Sequence, residues 1–353
     1  MQNNNDKIML KGMSLEALKT WCKETNLPNF SAQQLYEWIY LHGVNDFDLM
    51  QNISINNRKF LKENCVLIAL DLDSKTVSEN QNTIKYLFKT NDNNFLESVS
   101  MIDESGRHTV CVSSQSGCNL GCDFCATAKM GLMKNLSAAE IIDQLIIIRN
   151  LSKKPINNVV YMGMGEPFLN YDNVIVSANI LNNKKGFNIS TQKITISTVG
   201  IIPKIKKFID DQVPYKLAIS LNASNDRVRN NIMPINKKWP ISDLIAMNKR
   251  YVNKQKRKKI TFEYVMIDGI NSSVEDAIEL ANVLKSSKCK VNIIPYNEID
   301  KKYKRPSIST INKFVDTLSS NNNNFQIMVR WSNGLDIDAG CGQLAIENNI
   351  KGD

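Results

Sequence analysis

Three cysteines at close, fixed spacing place the strongest constraint on this chain. They lie in the segment Cys118-Asn-Leu-Gly-Cys122-Asp-Phe-Cys125, which directly follows the alternating apolar and polar residues 109–114. Three thiolates from one short loop can hold three irons of a [4Fe–4S] cluster and leave the fourth iron without a protein ligand. A structural zinc site is the alternative, but such sites normally close with four ligands, and only His108 is near. The spacing favours a cluster held by Cys118, Cys122 and Cys125.

The open iron of such a cluster predicts a second cofactor. It can bind the amino and carboxylate groups of S-adenosylmethionine and pass that molecule an electron, which cleaves it to a 5′-deoxyadenosyl radical. The C-x3-C-x2-C spacing after a predicted strand resembles the cluster motif of the radical-SAM superfamily. The motif is specific for this cofactor pair and indicates nothing about the substrate.

Length and composition place the chain among globular proteins. Its 353 residues are 42% hydrophobic, which is enough for a buried core, and the longest apolar run, 145–148, is too short to span a bilayer. The first six residues have neither the basic nor the apolar part of a secretory signal. Eight cysteines, three of them at metal-ligand spacing, fit a reducing compartment. We therefore expect a cytoplasmic protein, monomeric and without a membrane partner.

The net charge points to a polyanionic partner. It is +9, from 44 basic and 35 acidic residues, and two basic clusters stand out at 254–259 and 301–305. A charged run is more often a solvated surface than a binding site, so each cluster alone is a weak signal for nucleic acid.

The hydrophobic periodicity divides the chain into four segments. Residues 1–70 show helical stripes such as Leu15, Leu18 and Trp21, which predict a small N-terminal helical domain; residues 71–103 alternate as in a β-hairpin extension. Residues 104–335 alternate between strands and amphipathic helices, and residues 336–353 form a C-terminal loop.

The third segment predicts the fold class. Six β-α units of about thirty residues argue for an α/β protein whose parallel sheet closes into a partial (βα)6 barrel. Strands are predicted at 108–114, 157–162, 192–198, 216–222, 259–267 and 289–296. Helices are predicted near 137–152, 171–182, 201–210, 240–253 and 273–287, and two begin with the capping boxes Ser137–Glu140 and Ser272–Glu275.

Polar residues at the carboxyl ends of these strands are candidates for cofactor binding. After the second strand, Gly163-Met-Gly165-Glu166-Pro167 combines glycines that let the backbone approach a ligand with a carboxylate that can accept hydrogen bonds from an ammonium. The other candidates end the third, fourth and sixth strands: Ser197, then Ser220, Leu221 and Asn222, then Asn297. Each alone could be an ordinary polar strand end, but together they predict one rim.

Two cysteines outside the cluster motif are hard to explain as packing. Cys111 lies in the first barrel strand, and Cys341 lies in the polar, glycine-rich loop 336–343. Small neighbours give the Cys341 thiol room to meet a large substrate. Glu97, on the hairpin strand before the barrel, is a candidate base, with a surface charge as the alternative. The remaining cysteines, Cys22, Cys65 and Cys289, have ordinary helix or strand surroundings.

Taken together, these residues resemble the RlmN-type radical-SAM RNA methyltransferases nearly from end to end. The resemblance rests on the segments 34–40, 107–118, 163–172, 196–200, 233–236, 291–297 and 336–344. It implies methylation of C2 of an adenine in 23S rRNA, and of the adenine beside a tRNA anticodon. It also implies one [4Fe–4S] cluster per chain, two S-adenosylmethionine molecules consumed per methylation, and an electron donor such as a flavodoxin or ferredoxin.

The resemblance also implies a role for each candidate residue. Cys341 is first methylated; an adenosyl radical then takes a hydrogen from that methyl group, and the resulting methylene adds to the adenine. Cys111 attacks the Cys341 sulfur, as in disulfide exchange, and so releases the product and leaves a disulfide. Glu97 is the candidate proton acceptor. The matching S-adenosylmethionine contacts are Gly165, Glu166, Ser197, Ser220, Leu221, Asn222 and Asn297. One departure is Asn222, where the family commonly has His.

Three other functions remain open from the sequence. A Cfr-type enzyme would methylate C8 of the same rRNA adenine, but Pro167 after Gly165-Glu166 and the segment 262–266 favour the C2 class. A non-catalytic iron–sulfur RNA-binding protein would need neither Cys111 nor Cys341. A radical-SAM enzyme acting on protein or small molecules fits less well with the helical N-terminal domain and the basic clusters, which favour RNA.

Overall fold

Short helices dominate the first part of the chain in the computed structural model, which describes residues 7–152, 154–255, 258–321 and 324–346. Strands β1 (Ile8–Met9) and β2 (Cys65–Val66) pair in parallel and bracket three helices, α1 (Leu15–Glu24), α2 (Ser31–Tyr36) and α3 (Ile55–Asn64). The turn Glu37–Leu41 continues α2 as a π-helix. Of the predicted apolar stripe, Leu18 and Trp21 are buried, and Leu15 is partly buried against the same core.

Three antiparallel strands follow, one more than a hairpin needs. They are β3 (Leu70–Val77), β4 (Thr83–Thr90) and β5 (Phe95–Ile102). Strand β5 pairs antiparallel with the first barrel strand, β6 (His108–Cys111), so the extension continues the barrel sheet. The boundaries that the sequence suggested for the four segments stay predictions.

The barrel sheet confirms the predicted α/β class and adds a seventh parallel strand. A ribbon of β7 (Gln115–Cys118) and β8 (Gly131–Asn135) follows β6. The barrel continues with β9 (Asn158–Tyr161), β10 (Ile194–Thr198), β11 (Lys216–Ser220), β12 (Ile260–Met266), β13 (Cys289–Pro295) and β14 (Gln326–Val329). These six strands and β6 pair in parallel in the order β6-β9-β10-β11-β12-β13-β14. Strand β14 escaped prediction because it is short and follows an asparagine-rich segment.

The helices lie where the periodicity placed them, with additions. They are α4 (Ala126–Lys129), α5 (Ala138–Leu151), α6 (Tyr171–Asn182), α7 (Ile202–Asp210), α8 (Asp226–Ile232), α9 (Ile241–Lys254), α10 (Val274–Leu284) and α11 (Ile308–Ser320). The capping box of α5, Ser137 with Glu140, is confirmed. The second prediction is wrong by one residue. Ser273 and Asp276 cap α10 reciprocally, because Ser272 instead accepts a hydrogen bond from the backbone of Gly269.

Alternate residues of the parallel strands face a common interior, and their chemistry changes along the barrel. Near the strand starts the inward residues are polar or basic: Thr109, Asn158, Thr195, Lys216, Thr261 and Lys290. Near the strand ends they are Cys111, Met162, Ser197, Ser220, Val265 and Ile294. The carboxyl ends of parallel strands are where ligands bind in such folds. None of the helices that the structure describes is long and apolar enough to cross a membrane.

A buried ion pair ties the N-terminal helices to the barrel. The Lys11 ammonium lies 2.5 Å from Asp143 Oδ1, and both side chains are almost fully buried. The other oxygen of Asp143 accepts hydrogen bonds from the backbone N–H groups of Ala69 and Leu70, at 2.8 and 3.0 Å. Burial lowers the pKa of Lys11, although Asp143 opposes this. One carboxylate on α5 therefore joins three parts of the chain.

We predict that Asp143→Asn destabilises the protein by about 3–5 kcal/mol, because the Lys11 charge stays buried without its partner. The urea unfolding midpoint of the purified protein measures this. Adding Lys11→Met should recover part of the loss. As a control, Lys207→Gln, which breaks an exposed ion pair with Asp211, should leave the midpoint unchanged. An Asp143→Asn protein that unfolds at the wild-type midpoint would contradict this role.

Candidate cluster and substrate site

The three cysteines of the sequence motif line one cavity at the carboxyl end of the barrel. Cys118 ends β7, where it pairs with Gly131 of β8, and Cys125 directly precedes α4. Gly117 makes this ribbon possible: its φ is +74°, and a Cβ there would lie 1.9 Å from the carbonyl oxygen of Gly131. Cys122 and Phe124 complete this wall of what we call the cluster cavity, lined by Cys118, Cys122, Phe124, Cys125, Gly165, Glu166, Ser197, Ser220, Asn222 and Cys341, among others.

Burial keeps these thiols protonated until a positively charged group binds. Burial raises the pKa of Cys118 to about 11, and it raises the pKa values of Cys122 and Cys125 as well. The neighbouring sulfurs add to the increase for Cys122. Thiols in such surroundings ionise when a cationic centre binds and compensates their charge. Within the described residues, no group of three His, Cys, Asp or Glu converges as the ligands of a single ion would; the three cysteines instead face a shared space.

Glu166 lies in the cluster cavity but is already engaged by the backbone. Its two carboxylate oxygens accept hydrogen bonds from the N–H groups of Phe168 and Val199, at 2.9 and 2.8 Å. Burial raises its pKa to about 7, and these donors limit the rise. Gly165 before it has φ +92°, and a Cβ there would lie 2.4 Å from the Gln115 side chain. The turn therefore places a rigid carboxylate, with further acceptor capacity on each oxygen, beside the cysteines.

Two of the seven predicted S-adenosylmethionine contacts do not line the cluster cavity. Leu221 is fully buried, and its carbonyl accepts a hydrogen bond from Arg229. Asn297 is also buried, and its amide donates to the carbonyl of Cys341 at 3.0 Å. Ser197, Ser220 and Asn222 do line the cavity, with Gly165 and Glu166. The sequence predicts that Asn297 contacts S-adenosylmethionine, but in the structure its amide donates a hydrogen bond to the Cys341 backbone.

Asn222 shows why a short polar residue suits its position. Its φ is +57°, a left-handed conformation that asparagine adopts more readily than most residues. Its side-chain oxygen accepts a hydrogen bond from Val265 N–H at 2.9 Å, and its carbonyl accepts one from Asn271 at 2.7 Å. The amide is therefore used to join β11 to β12, while the residue still faces the cavity.

Arg229 supports the same rim and was missed by the sequence reasoning. It is fully buried, and its guanidinium donates to the carbonyls of Val199, Ser220 and Leu221 at 2.7–2.9 Å. Burial lowers its pKa to about 10. One cation therefore fixes the ends of β10 and β11. No local pattern signals this role, because Arg229 lies on α8 and its acceptors are scattered along the chain.

Cys341 is held in the cluster cavity by hydrogen bonds from distant segments. Besides Asn297, the carbonyl of the next residue, Gly342, accepts a hydrogen bond from Ala126 N–H at 2.8 Å. Gln343 closes the loop: its side chain accepts from Gly340 N–H at 3.0 Å and donates to the Glu298 carbonyl at 3.2 Å. The C-terminal loop is therefore anchored to α4 and to the segment after β13, and the Cys341 thiol faces the cluster cysteines.

A second cavity contains both Cys341 and Cys111. We call it the thiol cavity; it is lined by Val99, Arg107, Thr109, Cys111, Met162, Arg330, Trp331 and Cys341, among others. Cys341 is the only cysteine of the described chain that lines both cavities. Burial raises the pKa of Cys111 to about 12, the Cys341 sulfur raises it further, and the Arg330 guanidinium opposes both. Sequence reasoning predicted the two cysteines but missed Arg330.

Glu97 lies beside the C-terminal loop but lines neither cavity among the residues described. It forms an ion pair with Lys85 at 3.2 Å and accepts a hydrogen bond from Ala345 N–H at 3.1 Å. Burial raises its pKa, and Lys85 opposes this. The carboxylate therefore anchors the loop that carries Cys341. Its predicted role as a base stays a prediction.

The two basic clusters have different surroundings. In the first, Lys254 pairs with Asp210 at 2.8 Å, and residues 256 and 257 lie outside the described chain. In the second, the Lys302 ammonium and the Tyr303 hydroxyl both contact the carboxylate of Asp123, which lies between the cluster cysteines. The basic residues 301–305 therefore lie next to the loop that carries the three cysteines of the motif.

Comparisons with known proteins agree with this geometry. The model of the ribosomal RNA large subunit methyltransferase N-terminal domain matches residues 8–67, and that of the radical SAM superfamily matches residues 112–281. A probable dual-specificity RNA methyltransferase RlmN from Carboxydothermus hydrogenoformans is 40% identical over 94% of this chain and 96% of its own. The corresponding protein of Alkaliphilus oremlandii is 41% identical over 96% and 98%. The crystal structure of a radical SAM methyltransferase from Sphaerobacter thermophilus superposes with a TM-score of 0.90, at 38% identity, over 96% of this chain and 99% of that one.

We predict that anaerobic reconstitution loads about four irons per chain with a brown absorbance. Cys118→Ala, Cys122→Ala and Cys125→Ala should each lose most of this iron, because no other described thiol but Cys341 lines the cavity. The matched control is Cys289→Ala, which removes a buried thiol of β13 and should keep the iron. Zinc in place of iron in protein isolated anaerobically would contradict the assignment.

Proposed function

Because the chain belongs to the RlmN family of radical-SAM RNA methyltransferases, we propose that it methylates C2 of an adenine in 23S rRNA and of the adenine beside the anticodon in tRNAs. The single observation that carries the proposal is the position of Cys341, which lines the cluster cavity on one side and the thiol cavity, with Cys111, on the other. A methyl group on this sulfur would face both.

The chemistry of the substrate explains the need for two thiols. C2 of adenine is an electron-poor aromatic carbon without a lone pair, so it cannot attack a sulfonium methyl group. A bound [4Fe–4S] cluster and S-adenosylmethionine supply a 5′-deoxyadenosyl radical. The cluster would be held by Cys118, Cys122 and Cys125. S-adenosylmethionine would be held by Gly165, Glu166, Ser197, Ser220 and Asn222.

Cys341 would carry the methyl group to the adenine, and Cys111 would release the product. Cys341 accepts a methyl group in a first reaction. In a second, that methyl group loses one hydrogen atom to the adenosyl radical and its carbon bonds to C2 of the adenine. C2 then gives up its hydrogen as a proton, and the remaining electron would return to a bound cluster. Two S-adenosylmethionine molecules are consumed. Cys111 then attacks the Cys341 sulfur as a thiolate and the two sulfurs join. The bond between the Cys341 sulfur and the carbon breaks, and that carbon takes up a proton as the methylated base leaves. Arg330 favours the thiolate that this step needs. Glu97 would accept the proton from the adenine after a shift of the loop that it anchors, since it lines neither cavity.

Electron supply and RNA docking complete the proposal. Lys301, Lys302 and Lys304 beside the cluster loop give an acidic reductant, such as a flavodoxin or ferredoxin, a surface close to the cluster. The N-terminal helical domain contributes to RNA docking through exposed basic side chains such as Lys19, Lys23 and Lys59. We further propose that the enzyme acts as a monomer in the cytoplasm.

The product identifies the site of methylation. We predict that 23S rRNA and tRNA from cells with this protein contain 2-methyladenosine, that both lose it on deletion of the gene, and that plasmid-borne wild type restores it. Mass spectrometry of nucleoside digests, against 2-methyl- and 8-methyladenosine standards, measures this. Loss of 8-methyladenosine instead would show Cfr-type chemistry. Unmethylated rRNA in both strains would reject RNA methylation at this position.

Replacing Cys111 and replacing Cys341 should block the reaction at different steps. Cys111→Ala still carries the methyl group on Cys341 and adds to adenine, so it should accumulate a covalent protein–RNA complex. That band survives denaturation and disappears with RNase. Cys341→Ala and the double variant should give no band. If Cys111→Ala turns over normally without an adduct, Cys111 is only a buried strand residue.

Arg330 should control how fast the adduct resolves. Removing the cation raises the pKa of Cys111, so less thiolate is present at any pH below that pKa. We predict that Arg330→Met slows adduct decay roughly tenfold per unit of pKa increase, and that raising the pH restores the rate. Arg330→Lys keeps a positive charge and should decay near the wild-type rate. Quench-flow gels at several pH values measure it; equal decay in Arg330→Met and wild type would exclude this role.

A further inference from the structure

The interior of the barrel near the strand starts is basic rather than apolar. Barrels of this kind are usually filled with branched apolar side chains. Here the cavity between the strand starts is lined instead by Arg107, Lys216, Lys258, Lys259, Lys290 and Arg330. We call this space the basic cavity. Its lining also contains amide and hydroxyl side chains from six strands, so it can form hydrogen bonds with a polar ligand.

The strand register explains why these cations point inward. Lys216 of β11 pairs with Thr195, and Lys290 of β13 pairs with both Thr261 and Gln326; all of these residues line the basic cavity. Side chains two residues apart share a face of a strand. The inward row of β11 therefore runs from Lys216 to Ser220 in the cluster cavity, four residues and about 13 Å away.

Among the described residues, Arg107 pairs with Asp103 at 2.8 Å, whereas three lysines of the basic cavity have no carboxylate partner. Within the chain that the structure describes, Lys216, Lys259 and Lys290 form no ion pair. The one carboxylate in the lining, Glu263, is buried and accepts hydrogen bonds from Asn292 at 3.1 and 3.3 Å. Burial lowers the pKa of Lys216, and the charges of Lys290, Lys193 and Arg107 add to this. A bound polyanion would relieve this repulsion.

The basic cavity adjoins the thiol cavity. The two share Arg107, Thr109, Met162 and Arg330 in their linings, so a group that passes the lysines reaches Cys111 and Cys341 next. Trp331 lines the thiol cavity with 49% of its surface exposed, and the Arg305 guanidinium lies 5.7 Å from its ring centre. An exposed indole beside basic groups is a surface on which a nucleobase can stack.

We propose that the opening between the strand starts is the route by which the target adenine reaches Cys341, with the phosphates flanking that nucleotide bound by Lys216, Lys259 and Lys290. The inference rests on the proposed function, since it takes the substrate to be a nucleotide of a folded RNA. The base leaves its stack, as required by any enzyme that modifies a ring atom inside a folded nucleic acid. The RNA backbone stays at the lysines while the base enters the thiol cavity.

The test removes these three charges and leaves the rest of the protein intact. The variant is Lys216→Gln/Lys259→Gln/Lys290→Gln, in the cluster-loaded full chain. The matched control is Lys206→Gln/Lys249→Gln/Lys313→Gln, which removes three exposed lysines from α7, α9 and α11. The probe is an RNA hairpin with a single adenine in its loop, titrated from 50 to 300 mM salt. RNA-independent cleavage of S-adenosylmethionine and methylation of Cys341 report whether the cluster site is preserved.

We expect the barrel variant to bind the hairpin roughly tenfold or more weakly at 100 mM salt. The slope of log K against log salt should fall in magnitude by about 2, since three phosphate contacts are lost. The control should bind like wild type, and all three proteins should cleave S-adenosylmethionine equally. Unchanged affinity and slope in the barrel variant would overturn the proposal.

Two further outcomes would distinguish the RNA route from mononucleotide binding and from a failure of the proposed methylation. If the barrel variant loses affinity for adenosine monophosphate but not for the hairpin, the cavity binds a mononucleotide, and the RNA route is wrong. If wild type binds the hairpin through these lysines but yields no 2-methyladenosine, the proposed function fails while the route stands.

Discussion

The docking of the C-terminal loop onto the cluster loop is the contact on which the site depends. The Gly342 carbonyl accepts a hydrogen bond from Ala126 N–H, directly after the last cluster cysteine, and the Asn297 amide holds the Cys341 carbonyl. More than two hundred residues separate Cys341 from Cys125. Without these hydrogen bonds the thiol would belong to a free loop, since Gly340 and Gly342 give that segment wide conformational freedom. With them, it faces the cavity that the three cysteines line.

Side chains of different chemistry follow one another along the barrel interior, from the strand starts to the strand ends. Lysines line its start, two thiols and an arginine lie in the middle, and the three cysteines of the motif lie at the end. Burial raises the pKa of Cys111 and of each cluster cysteine, so none of these thiols ionises readily alone. Each thiolate therefore needs a local positive charge. Arg330 supplies it for Cys111, and a bound cluster would supply it for the other three.

Local sequence patterns were enough to predict part of this arrangement. The cluster motif follows from three cysteines at two spacings within eight residues, and the barrel strands follow from their apolar runs. The residues that sequence reasoning missed act across long distances: Arg229 on α8 joins two strand ends, and Arg330 after β14 meets Cys111 of β6. The Asn297 amide is directed to a backbone carbonyl 44 residues away. Such partners depend on how the sheet closes, which periodicity does not encode.

If the methyl carbon reaches RNA through Cys341, an isotope label placed on that carbon must appear in the methylated base. Cys341 is first loaded with a trideuteromethyl group, and the purified protein is then given unlabelled S-adenosylmethionine, reductant and unmethylated RNA for one turnover. We expect product adenine with two deuterium atoms in its new methyl group, since one is removed before the carbon bonds to the base. A product methyl group without deuterium, with the label still on Cys341, would show direct transfer and contradict the account.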